Sequence, residues 1–95
     1  MKDKFVLVTT EQKGVFAGFL KEHDKEKETC ILASAKMCIY WSNDVKGVLG
    51  LANMGPSNGC KITPVVKEIY LNKITSITIC TEEAKKNWDK EIWAI

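Results

Sequence analysis

Ninety-five residues and 10.7 kDa fit one domain spanning 1–95, because two independent cores would leave fewer than ~50 residues each. Hydrophobic residues make up 45% and charged residues 27%, ordinary values for a soluble globular chain. Fourteen lysines oppose twelve acids for a net charge of +2, and there is no arginine. That balance argues against tight duplex binding, a membrane surface or bidentate phosphate reading.

Phe5-Val6-Leu7-Val8-Thr9-Thr10 is rich in β-branched and aromatic residues and predicts a strand. It is too short an apolar run for a signal-peptide core, and no segment reaches the ~20 apolar residues of a membrane helix. The expected compartment is cytosol, with reduced thiols at Cys30, Cys38, Cys60 and Cys80 acting as buried small hydrophobes. Their spacing fits no zinc knuckle, and neither a metal nor a cofactor is expected. Glu11-Gln12-Lys13-Gly14 reads as a tight turn, with Gly14 able to take positive φ.

A second strand starts at Val15. Val15, Ala17 and Phe19 share one face; Phe16, Gly18 and Leu20 share the other. A glycine in mid-strand predicts strong bending or close backbone approach. Residues 21–28, with three lysines, four acids and His23, read as the solvated tip of a long hairpin. Residues 29–41 form either one bent strand or two joined at Ala35-Lys36, apolar on both faces and therefore central or at a subunit interface.

Ser42-Asn43-Asp44 has turn character. The stretch 47–59, with four glycines and one proline, reads as irregular. Cys60-Lys61-Ile62-Thr63 predicts a short strand stopped by Pro64, and residues 65–71 lead to a turn or bulge at Asn72-Lys73. Ile74 to Cys80 alternates with period 2. This pattern puts Thr75, Ile77 and Ile79 on one face and Ile74, Ser76 and Thr78 on the other. Thr81 is an expected N-cap for a helix starting at Glu82, with Ala84, Trp88, Ile92 and Ile95 as its apolar stripe and Trp93 off that stripe. The elements predict an α+β fold: a small, strongly bent, SH3-like antiparallel barrel with a C-terminal helix. An open antiparallel sheet covered by that helix is the second reading.

No nucleophile-base constellation or phosphate-loop motif is visible, and the single His23 sits in the charged tip, so no catalytic residue is assigned. The strongest candidate site is the segment 47–61, where backbone amides, Asn53, Ser57, Asn58 and the adjacent Lys61 suit an anion or a partner loop. Tyr40 and Trp41 are the second candidate: adjacent strand residues point to opposite faces, so one fills the core and the other goes elsewhere. The large apolar complement also predicts a homo-oligomer.

The segments GVFAGFL (14–20), MCIYW (37–41), GVLGLA with Gly55-Pro56 (47–56), CKITP (60–64) and CTEEA with Trp88 together resemble a family of small accessory proteins of tailed bacteriophages and prophages. The resemblance implies a protein of the host cytoplasm that antagonises a host factor without catalysis. It would do so by sequestering a nucleotide-type small ligand or by blocking a host protein. The alternatives are a small-barrel module for single-stranded nucleic acid, needing Lys36, Lys46, Lys61, Lys67 and Lys73 to converge with Tyr40 or Trp41, and a small hydrolase or structural phage protein.

Overall fold

The computed structural model describes residues 3–90. Strands β1 (Phe5–Thr10), β2 (Val15–Asp24) and β3 (Thr29–Tyr40) form an antiparallel meander. A 3₁₀ turn (Asn43–Val45) and a short helix α1 (Val48–Asn53) follow. Next come β4 (Lys61–Ile62), β5 (Val66–Leu71), β6 (Ile74–Ile79) and helix α2 (Glu82–Trp88). The outer edge of β3 takes β5 along its first half and β4 along its second, while β6 pairs with β1. β3 is thus one central strand, apolar on both faces.

The α+β class holds, with six antiparallel strands and two helices among the described residues. The sheet curls without closing, because β5 and β6 share no ladder; the strand pairing therefore does not describe a barrel. The curl is strong enough to bring opposite corners together at residues 72–73. There Ile74 N–H donates to Glu28 O (3.1 Å) and Glu11 N–H to Lys73 O (2.9 Å).

Gly18 is where β2 and β3 make that bend. From Ala17 opposite Lys36, the register passes to Phe19 opposite Ala33, which leaves one extra residue on β3. Ser34 takes the strain at φ +50°. A Cβ on Gly18 would lie 2.9 Å from Ala33 O and 3.1 Å from Ala35 Cα, so the expected close approach is real. In the first turn, however, the positive φ falls on Lys13 (64°) and not on Gly14.

Two cores flank the sheet. On the concave side Val6, Val8, Leu20, Cys30, Leu32, Ala35, Leu71 and Ile74 are buried by strands alone. On the outer side Leu7, Val15, Ala17 and Cys38 are buried under Val45, Leu51, Ala84 and Trp88 of the helical cover. The predicted two faces of β2 are observed. In β6 the strict alternation fails: a bulge opposite Thr9-Thr10 turns Ile74 onto the same concave core as Ile77. The stretch 47–59 is not wholly irregular, since it contains α1.

Helix α2 starts at Glu82 because the Thr81 hydroxyl accepts from Ala84 N–H at 3.0 Å, with two acids in the first turn. Ala84 and Trp88 are buried as the stripe requires. Ile92, Trp93 and Ile95 lie outside the described residues.

Candidate functional site

A helix as short as α1 leaves most of its carbonyls without an internal partner. Gly50 O accepts from Met54 N–H and Gly55 N–H. The next four carbonyls are met by α2. Trp88 Nε1 donates to Leu51 O (2.8 Å), Thr81 N–H to Ala52 O (3.0 Å), the Thr81 hydroxyl to Asn53 O (2.7 Å) and Asn87 Nδ2 to Met54 O (2.7 Å). On its other side α1 is pressed onto the 3₁₀ turn, where a Cβ on Gly50 would fall 1.6 Å from Val45 O. The glycine-rich stretch is therefore tightly committed to the fold.

Its hydroxyls are committed too. Ser42 Oγ and Ser57 Oγ both donate to the Asp44 carboxylate, the latter at 3.1 Å, and lie 3.1 Å from each other. These two bonds, Ser42 first, hold the Asp44 carboxyl below its ordinary range. Ser57 also accepts from Gly59 N–H (3.4 Å). A carboxylate beside Ser57 repels an anion, so this loop is poorly suited to phosphate. Asn53 and Asn58 are exposed, Ser57 and Lys61 half-buried. Tyr40 is 54% exposed, whereas Trp41 packs against the outer core, which settles which aromatic of the pair faces solvent.

The structure instead opens a groove of about 1100 Å³ between α2 and the outer strands. The floor is Phe5 and Phe19, half-buried, edge to face with centroids 5.2 Å apart. These two rings follow from the β1–β2 register, which sets Phe5 opposite Phe19. Trp88 also lines it, and residues 62–65, from the end of β4 onward, form a wall. Two ammoniums line the groove. Lys85 Nζ stands 5.1 Å from the centroid of Phe19. Lys36 Nζ donates to Trp88 O (2.9 Å) and Lys90 O (3.2 Å), two bonds from a group with three protons. Asp89 is the acid of the lining. The wall is pinned by Thr63, whose N–H donates to Met37 O (3.0 Å) and whose hydroxyl accepts from Met37 N–H (2.9 Å).

Sequence reasoning missed this groove because Phe5, Phe19 and Lys85 meet only through strand register and helix placement. The signal available was the unequal size of the β2 face, on which Phe19 is far larger than Ala17. Lys36 borders this groove and Lys73 a separate cavity near Gln12 and Asn72, so the lysines required for strand binding are not gathered in one cavity.

Among the described residues, burial disfavours the ionised form of three of the four thiols. Burial pushes the Cys80 thiol up to about 12. Burial, then the neighbouring Cys60, raises Cys38 to about 12. Burial also raises Cys30. The register sets His23 opposite Cys30, yet no hydrogen bond joins them among the described residues, and His23 is exposed while Cys30 is buried. The described residues contain no group of three potential metal ligands, and none of their helices is long and apolar enough to cross a membrane.

A protein-family model described as a domain of unknown function (DUF6948) matches residues 3–88. No curated protein matches the chain.

Proposed function

Because this chain belongs to the DUF6948 family, whose description assigns no activity, we propose its function from the site: a non-enzymatic binding protein that holds a nucleotide-type ligand in the groove between α2 and the outer strands. One observation carries this reading. The half-buried Phe5–Phe19 pair and the ammoniums of Lys36 and Lys85 line a single groove of about 1100 Å³. That volume suits a small ligand. An aromatic floor offers a stacking surface to a flat base, and two ammoniums beside it offer charge to phosphate. The raised thiols and the exposed His23 favour sequestration over turnover. The resemblance to tailed-phage accessory proteins supplies the setting: stoichiometric removal of a host signal in the host cytoplasm.

Titration calorimetry with a panel of mono-, di- and cyclic nucleotides tests the site. Binding should weaken at least tenfold in Lys36→Gln/Lys85→Gln and in Phe19→Ala, and should fall with added salt. Equal affinity for the matching nucleosides, or no binding at millimolar ligand, overturns the reading. Native mass spectrometry of protein purified from phage-infected cells separates the two modes of antagonism. A retained nucleotide supports sequestration; a retained host chain in its place supports blockade.

A further inference from the structure

The two edges of the sheet are defended differently. β5 carries Lys67 and Glu68, both exposed, and Pro64 stands two residues before it. Such charges and prolines discourage strand addition. β6, Ile-Thr-Ser-Ile-Thr-Ile, has no charge, no proline and no glycine, and among the described residues its outer side pairs with no strand.

The register says which groups it presents. Cys80 N–H donates to Phe5 O (3.0 Å), so in the alternating ladder Cys80, Thr78 and Ser76 turn their backbone groups toward β1. Ile77 and Ile79 then turn theirs outward. Opposite Val8 and Val6, their side chains share the concave face. Ile77 is half-covered there, while Ile79 is left 54% exposed.

We infer that β6 is a homodimer edge, pairing antiparallel with β6 of a second copy about a two-fold axis at Thr78. This register sets Ile77 opposite Ile79 of the second copy, and Ile79 opposite its Ile77. Both are hydrogen-bonded pairs, giving about four backbone bonds, and Thr78 faces its own symmetry mate. The strand is complementary to itself: Ile–Ile and Thr–Thr are favourable cross-strand pairs. The exposed Ile79 is covered by the isoleucine that extends the concave core of the other copy. A second copy of this chain is thus an occupant that satisfies backbone parity and side-chain face together, and the two-fold closes on itself, using up the β6 edge of both copies and leaving only the charged β5 side.

Sedimentation equilibrium at tens of micromolar protein should return twice the 10.7 kDa chain mass. Ile79→Lys, which puts a charge on the concave face of the edge, should weaken association at least tenfold. Thr78→Cys should form a reducible chain dimer on mild oxidation, because facing residues of a non-hydrogen-bonded pair lie about 4.5 Å apart at Cα, within reach of a disulfide. Thr75→Cys and the wild type, with its own thiols, should not. A mass near 10.7 kDa at several hundred micromolar, a mass above the dimer, or a dimer untouched by Ile79→Lys overturns the assignment. Should Ile79→Lys fail to fold by circular dichroism, the Thr78→Cys cross-link decides, and its absence overturns it.

Discussion

On the concave side of β1, Val6 and Val8 are buried by side chains from other strands: Leu20, Cys30, Leu32, Leu71 and Ile74. On the opposite side of the same strand, Leu7 is buried by Val45, Leu51, Ala84 and Trp88, which come from a 3₁₀ turn and two short helices. The first core is closed by curvature. Its apolar groups need only a bend, and the bend is supplied by Gly18 and Ser34. The second is closed by polar bonds at the rim, since α1 is six residues long and far too short to persist by itself. It stays folded because α2 supplies donors to the carbonyls at its C-terminus. A cover held by side-chain donors can be partial: Phe5 and Phe19 stay half-buried, with Lys85 of α2 reaching over the Phe19 ring. The groove is the part of the outer face that the cover leaves open.

The sharpest way to break this comparison is to remove one large side chain from each core. Trp88→Ala should cost about 3–5 kcal/mol through the cavity alone, and it leaves Leu51 O without its donor. Hydrogen exchange should show protection lost first in α1 and α2, with the β1–β2–β3 amides holding longer. Leu32→Ala should cost about 2–5 kcal/mol, and here every strand amide should loosen together, because Leu32 sits between β2 and β5 with no exposed surface. Identical exchange patterns for the two variants would show that the cores are one cooperative unit and not two.

A smaller change sharpens the role of the rim bonds. The Thr81 hydroxyl caps α2 and ties off Asn53 O at once. Thr81→Ala should lower stability by about 1 kcal/mol, and Thr81→Ser should recover most of it. A thermal melt in which serine does no better than alanine would assign the effect to the lost methyl group.

How far each core could be read from the sequence follows from how it is built. Strand β1 shows in the β-branched and aromatic run of residues 5–10, the two faces of β2 follow from the period-2 reading of residues 15–20, and Gly18 marks the bend. The start of α2 is written in Thr81-Glu82-Glu83. Alternation stopped being a guide at Ile74, where a bulge resets the register, and at 47–59, where glycines that suggest a loose loop instead allow α1 to lie against the 3₁₀ turn. Asn53, Ser57, Asn58 and Lys61 were attractive as a site because they are polar and surrounded by glycine. Composition could not reveal that Asp44 binds the Ser57 hydroxyl, or that the Asn53 carbonyl belongs to Thr81. Tyr40 and Trp41 part between solvent and core, but Trp41 lies one residue past the end of β3, and which went where depended on the outer core that Trp41 joins. The groove was the least legible feature, since it is made of residues from both ends of the chain.

The smallest effect lies in the Ser42–Asp44–Ser57 cluster, and it tests whether the outer cover depends on charge in a way the concave core cannot. Both serine hydroxyls favour the ionised carboxylate, so the folded pKa of Asp44 lies below its unfolded value. The sign then follows: the folded state binds this proton less readily than the unfolded state. The stabilisation is fully present above the unfolded pKa of about 3.9. It is lost progressively as pH falls below that value and through the folded pKa. Carboxyl NMR titration should give Asp44 a midpoint below that of an ordinary aspartate. Ser42→Ala should raise it most and Ser57→Ala less, in the order of their contributions. Chemical shifts of the 43–48 segment should follow the same titration, while those of Val6, Val8 and Leu32 stay fixed, because no titratable side chain is buried among them except the Cys30 thiol, whose raised pKa keeps it protonated throughout that range. An Asp44 midpoint indifferent to both serines would mean that the cluster is held by packing and that its hydrogen bonds are incidental.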